Sequence, residues 1–141
     1  MATERETRTQ TDRQLCGLVN GLANQIEAHL RARAATLGLT ASQGAALREL
    51  TRPMTLRELA GRMSCEPSNA TFVADRLEEQ GYLERHPHPD DRRAKQLVLT
   101  PKGTELRERL LDLLSEDSPL APLSPEEQDI LQRLLARALI R

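Results

Sequence analysis

The chain has 141 residues, 20 basic and 21 acidic side chains, a net charge of −1, and only one Phe, one Tyr and no Trp. That length suits a single domain with a modest core, and the near-neutral charge provides no global basic footprint for nucleic acid. The two cysteines, Cys16 and Cys65, make no disulfide framework. No apolar run reaches membrane-spanning length, and the polar first residues carry no secretory signal, so a soluble cytoplasmic protein with no membrane partner is expected.

Met1 to Gln10 is rich in Thr, Arg and Glu and reads as a frayed arm. From about Thr11 to Leu37 the pattern predicts a long amphipathic helix, with Leu15, Leu18, Val19, Leu22, Ile26, Leu30 and Ala34 on one stripe and Gly38 as its stop. Thr40 and Gln43 have capping-box spacing and open a helix through Leu47 and Leu50. Arg52-Pro53 ends it.

Thr55 to Thr100 is the most informative stretch. Thr55 and Glu58 form a second capping box, with Met54 and Leu59 placed as a hydrophobic staple. Leu56, Leu59, Ala60 and Met63 give this short helix its apolar face, and Ser64-Cys65 makes a turn. Pro67 suits the first position of the next helix, with Glu66 as its cap. Ala70, Val73 and Leu77 face the core, and Gly81 is the stop.

Leu83 and Arg85 are read as alternating in and out, as are Leu97 and Leu99 against Gln96 and Val98. The result is a two-stranded ribbon with a charged tip. After Thr100-Pro101 comes a helix holding Leu106, Leu110, Leu111, Leu113 and Leu114. A proline-containing loop follows, and Ser124-Pro125-Glu126-Glu127 starts the last helix, whose face is Ile130, Leu131, Leu134, Leu135 and Ala138.

The helix from Pro67 turns Ser68, Thr71, Phe72, Asp75 and Glu79 away from its core stripe, with Asn69 and Arg76 on the flanks. A first turn of small hydrogen-bonding groups plus one apolar wedge suits a helix that enters a DNA major groove. Asn pairs with adenine edges, and apolar groups meet the thymine methyl. An ordinary solvated face fits the same pattern. At the ribbon tip, Arg92, Arg93 and Lys95 suit a minor groove or phosphates, and a solvated charge run is the plainer alternative.

In order, Leu59-Met63 (L-A-x-R-M), Pro67-Thr71 (P-S-N-x-T), Asp75-Gly81 (D-R-L-E-x-x-G), Asp91-Arg93 (D-x-R) and Leu99-Thr100 resemble the winged helix-turn-helix of the MarR family of bacterial regulators. The resemblance implies a mainly α fold with a small two-stranded β-wing and dimerisation helices at the N- and C-terminal ends. It implies a single domain over 1–141, with a DNA-binding lobe at 38–100 and helical dimerisation regions at 11–37 and 101–141. It further implies a homodimer on a palindromic double-stranded operator, probed by Ser68, Asn69, Thr71, Phe72, Arg76, Arg92, Arg93 and Lys95, and released by an unidentified small-molecule effector. In the family pattern Asp75 pairs with Arg93 to brace the wing, and Asp91 is a second brace. Phe72 stands where many relatives carry a polar or basic residue, so the base preference is not carried over.

The apolar surface of the terminal helices independently suggests a partner face. Packing on the DNA-binding lobe is the alternative. An enzyme is not expected: no Gly-rich phosphate loop or nucleophile-base pair is present. No cofactor is expected, and no metal, because His86-x-His88 lacks companions at zinc spacing. A protein-interaction adaptor on the same fold is a competing reading. A second alternative is redox sensing by Cys16, since Gln14-Leu15-Cys16 is similar to the organic-hydroperoxide-sensing branch of the family and lies near the expected helix start. Tyr82, the single tyrosine, is far from it in sequence.

Overall fold

The structure is a computed structural model and describes Met1 and residues 3–140. Its elements are α1 (Glu4–Thr36), α2 (Ala41–Glu49), β1 (Met54–Thr55), α3 (Leu56–Met63), α4 (Pro67–Glu79), β2 (Leu83–Pro87), β3 (Lys95–Leu99), α5 (Pro101–Ser115) and α6 (Pro125–Leu139). They form two compact units. One is Glu27–Glu116; the other joins Met1–Ile26 to the segment from Asp117 onward.

The Glu27–Glu116 unit contains the core. Leu30 and Ala34 from the end of α1 are buried with Leu47, Met54, Leu59, Leu77, Leu83, Leu97 and Leu110. Short, cap-defined helices make this packing possible. The Thr40 hydroxyl accepts the Gln43 N–H at 3.1 Å while the Gln43 side chain accepts the Thr40 N–H at 2.9 Å. Gln43 is itself buried, and its amide donates to the Gln80 side chain at 2.8 Å, joining the start of α2 to the end of α4. At the other end of α2, the part-buried Arg107 donates to the Leu47 and Arg48 carbonyls, which have no partners within the helix.

The sheet has three strands in the order β1-β3-β2, all antiparallel. The expected ribbon is present as β2 and β3, with Leu83 opposite Leu99 and Arg85 opposite Leu97. β1 is additional, pairing Met54 with Leu97 and Thr55 with Gln96. Thr55 is also the N-cap of α3, at φ −73 and ψ 161. An N-cap residue takes an extended conformation, so one residue can both pair in the sheet and start the helix. Two residues are too few to show alternation, which is why the strand escapes a periodicity reading. Met54 and Leu59 are both fully buried, as the staple requires. Glu58 closes the capping box and also accepts from Arg52 at 2.8 Å. The Arg52 guanidinium, then the Thr55 amide, hold the Glu58 carboxyl below its usual pKa.

The exit from α4 and the entry to α5 are joined at one place. Gly81 reverses the chain at φ 83. The Thr100 hydroxyl donates to the Gly81 carbonyl at 2.7 Å and accepts the Gly103 N–H at 3.0 Å, while the Thr100 N–H reaches the Tyr82 carbonyl at 3.1 Å. A Cβ on Gly103 would lie 2.0 Å from the Tyr82 carbonyl oxygen, so this approach requires glycine. Lys102 donates to the Gln80 carbonyl and lies over the Tyr82 ring.

In the second unit, α1 begins at Glu4 rather than near Thr11. Thr3 and Glu6 exchange the bonds of a capping box, at 2.8 and 3.2 Å, and Arg8 pairs with Glu4 one turn on. The expected frayed arm is therefore helical from residue 4. α6 starts at the Ser124/Glu127 capping box, yet none of its residues is buried. Within this unit Leu22 and Ile26 share an apolar cleft of 500 Å³ with Leu131 and Leu135. Leu18 and Leu134 are 71% and 54% exposed. Among the described residues no helix is long and apolar enough to cross a membrane. Helix-turn-helix α3-α4 followed by the β2-β3 wing makes this a winged helix-turn-helix.

Candidate nucleic-acid interface

α4 is anchored from beneath by Ala70, Val73, Ala74 and Leu77, all buried. Its opposite face presents Ser68, Asn69, Phe72, Asp75, Arg76 and Glu79 to solvent. Pro67 opens the helix as expected. Glu66 takes the N-cap conformation, but its carboxylate caps nothing. Its backbone carbonyl instead accepts the Asn69 and Ala70 N–H groups, at 3.0 and 3.2 Å. Thr71 differs from the outward reading: it is half-buried, and its hydroxyl donates to the Pro67 carbonyl at 2.9 Å. That proton is therefore engaged within the helix.

The wing tip is ordered by its own backbone. The Asp91 carboxylate accepts the Arg93 N–H at 3.0 Å, the Ala94 N–H reaches the Asp91 carbonyl, and the His88 N–H reaches the Ala94 carbonyl. The His88 ring accepts the Asp90 N–H at 3.0 Å. Asp91 thus braces the turn itself. The side chains of Arg92, Arg93 and Lys95 are exposed and meet no acceptor among the described residues.

Asp75 does hold an arginine, but the arginine is Arg85 of β2 and not Arg93. Arg85 donates to Asp75 and to Glu78, both at 2.7 Å, one nitrogen to each. Strand geometry accounts for this partner. A strand repeats every two residues, so Arg85 shares the face of Leu83 and points back at α4 instead of alternating with it. The same guanidinium neutralises two carboxylates one turn apart on α4 that would otherwise repel phosphates. Arg93 is left at the tip beside Arg92.

On its other flank, α4 borders a cleft of 420 Å³ lined in part by Met63, Cys65, Asn69, Phe72 and Arg76, with Thr40 and Ser42 at the start of α2. Cys65 is half-buried there. Cys16 is exposed, its sulfur 4.0 Å from an Asp12 carboxylate oxygen. Because α1 starts at Glu4, Cys16 lies beyond the first turn, where the dipole effect of a helix N-terminus has faded. Among the described residues, no cluster of His, Cys, Asp and Glu could hold a metal ion.

Arg85 thus ties β2 to Asp75 and Glu78 of α4, while Asp91 separately orders the wing tip, and sequence reasoning missed Arg85 as the partner of Asp75. The usable signal was the two-residue repeat linking it to Leu83.

The family model for MarR matches residues 39–95. The chain is 35% identical over 88 residues to YkoM, an uncharacterised HTH-type transcriptional regulator of Bacillus subtilis, covering 61% of this chain and 57% of YkoM. It is 38% identical over 86 residues to the transcriptional repressor MprA of Escherichia coli K12, covering 60% of this chain and 49% of MprA. The matches thus span about half the length of these curated relatives. Among solved structures, a cysteine-to-serine mutant of E. coli MarR complexed with operator DNA superposes with a TM-score of 0.70 at 26% identity, covering 90% of this chain and 94% of that one. The matched segment runs from Leu39 through α4 to the start of β3, so the helix-turn-helix and the first wing strand carry the relationship, and the chain belongs to the MarR family.

Proposed function

We propose that the chain is a homodimeric, sequence-specific DNA-binding regulator of transcription, a repressor that leaves a palindromic operator when a small-molecule effector binds. The observation that carries this reading is the exposed face of α4 together with a wing tip whose Arg92, Arg93 and Lys95 meet no acceptor among the described residues. Asn69, Phe72 and Arg76 enter the major groove with Ser68, and Thr71 contributes its hydroxyl oxygen as an acceptor. The wing reaches the flanking minor groove, where arginine is favoured. Asp75 and Asp91 contact no DNA; they hold the geometry through Arg85 and the tip backbone. A net charge of −1 is compatible with this because the cations needed are local.

The exposed leucines of α1 and α6 support the dimer, since a symmetric partner would cover them. Two copies of α4 would then meet successive major grooves about one helical turn apart. MprA is a repressor by name, which supports the repressor reading, and the E. coli MarR mutant complexed with operator DNA supports the DNA-binding one. Residues 38–100 act as the DNA-binding lobe, with 11–37 and 101–141 as the dimerisation region.

The test is to select duplexes from random DNA with the full chain, then titrate binding against salt. A selected site with two inverted half-sites is expected. Arg93→Ala should weaken binding to every sequence and lower the salt slope by about one. Equal binding of selected and random DNA would overturn the reading. Unchanged affinity and slope in Arg93→Ala would remove the wing's role.

A further inference from the structure

Among the described residues, Phe72 is the one large apolar side chain left exposed in the Glu27–Glu116 unit, at 66%. The other exposed leucines, isoleucines and valine lie in the terminal unit, where a partner helix can cover them. Phe72 instead occupies the middle of the outward face of α4. Asn69 lies one turn before it and Arg76 one turn after, and both are exposed. An aromatic ring surrounded by base-reading groups needs an apolar feature on the same surface that those groups contact. The major groove has one such feature, the 5-methyl group of thymine.

We propose that Phe72 is a specificity-determining residue that reads a thymine methyl in each operator half-site. The proposal rests on the DNA-binding reading above and names one base within it. Asn69 and Phe72 are about 4.5 Å apart in helix rise and Phe72 and Arg76 about 6 Å, against about 3.4 Å per base step. The thymine therefore falls within about two steps of the base pairs that Asn69 and Arg76 reach. Cytosine offers no methyl at that place, so selectivity arises from apolar contact without a hydrogen bond from Phe72.

The experiment replaces each thymine of the selected operator, one position at a time, with deoxyuridine. That change removes the methyl and keeps the pairing edge. One position per half-site should weaken the wild-type protein about fourfold, the worth of one buried methyl. The same two duplexes should bind Phe72→Ala equally well, with Phe72→Leu between. Placing a 5-methylcytosine·guanine pair there should weaken the wild type less than an unmethylated cytosine·guanine pair does. Phe72 is exposed, so these variants should fold, and equal urea midpoints would verify it. The proposal is overturned if no deoxyuridine position weakens the wild type, or if Phe72→Ala keeps the full deoxyuridine penalty. In either case a selected, salt-dependent operator would leave the regulator reading standing. Failure to select any sequence would overturn both.

Discussion

The two units of this chain differ in how much they bury for themselves. In Glu27–Glu116 every helix and strand contributes to one core, and Leu47, Met54, Leu59, Leu77, Leu83, Leu97 and Leu110 are fully enclosed. In the terminal unit α6 buries nothing, and Leu15, Leu18, Val19, Ile130, Leu134 and Leu139 are exposed. Both units have equally sound local chemistry: Thr40/Gln43 and Thr55/Glu58 cap helices in the first, and Thr3/Glu6 and Ser124/Glu127 do so in the second. Helix signals therefore do not distinguish a unit that buries its apolar face from one that leaves it exposed. The fate of the apolar face does.

Substituting one leucine in each unit separates the two kinds of face. Leu59→Ala removes a fully buried side chain and should cost about 2–5 kcal/mol of unfolding free energy, read as a lower urea midpoint. If it costs no more than an exposed leucine, the lobe is not the cooperative core described. Leu134→Glu should instead raise the dimer dissociation constant at least about tenfold, equivalent to about 1.4 kcal/mol, by sedimentation, while the lobe keeps its circular dichroism. A protein that remains dimeric would show that α6 is covered in some other way.

Smaller effects sharpen the lobe itself. Arg85→Ala should lower stability by only about 0.5–1 kcal/mol, because the Asp75 and Glu78 carboxylates that it pairs with are themselves about half exposed. Its effect on DNA affinity should be larger, since two unneutralised carboxylates would then face phosphates. Replacing Asp75 and Glu78 together with Asn and Gln should recover part of that loss. Equal losses in stability and in affinity would reduce Arg85 to a structural strut.

The smallest effect is a pH dependence. The Glu58 carboxyl is held below its ordinary value of 4.5, mainly by Arg52, so the unfolded chain takes up its proton first as pH falls. The stabilisation is full above that value and is lost as acid titrates the folded carboxyl. Arg52→Gln should flatten acid denaturation in this window. An unchanged acid limb would remove Arg52 from the account.

What the sequence made legible was local. The capping pairs, Pro67 at the start of α4, the Ala70-Val73-Leu77 stripe and the Gly81 stop all lie within a few residues of their partners. What it hid was tertiary, or too short to have a period. The partner of Asp75 lies ten residues away on another element. β1 has two residues and exists only because β3 lies beside it. Thr71 looked outward on a helical wheel, but its hydroxyl had a carbonyl within reach one turn back. The early start of α1 was legible in Thr3 and Glu6, and composition alone obscured it.

The stitch between Tyr82, Thr100 and Gly103 has a consequence for variation. The chain leaves the lobe at Leu83 and returns at Leu99, directly opposite, and the two feet of this excursion are fixed by the Tyr82–Thr100 bond at 3.1 Å. Changes in tip length between His88 and Arg93 therefore do not pull on α4 or α5. Doubling a loop costs only about 0.6 kcal/mol in closure entropy. The wing can thus be exchanged as a cassette, with its length adjusted by insertion and deletion while the α4 surface is held constant. The tolerated place to graft a longer or differently charged tip is this turn, and the place that tolerates no side chain at all is Gly103.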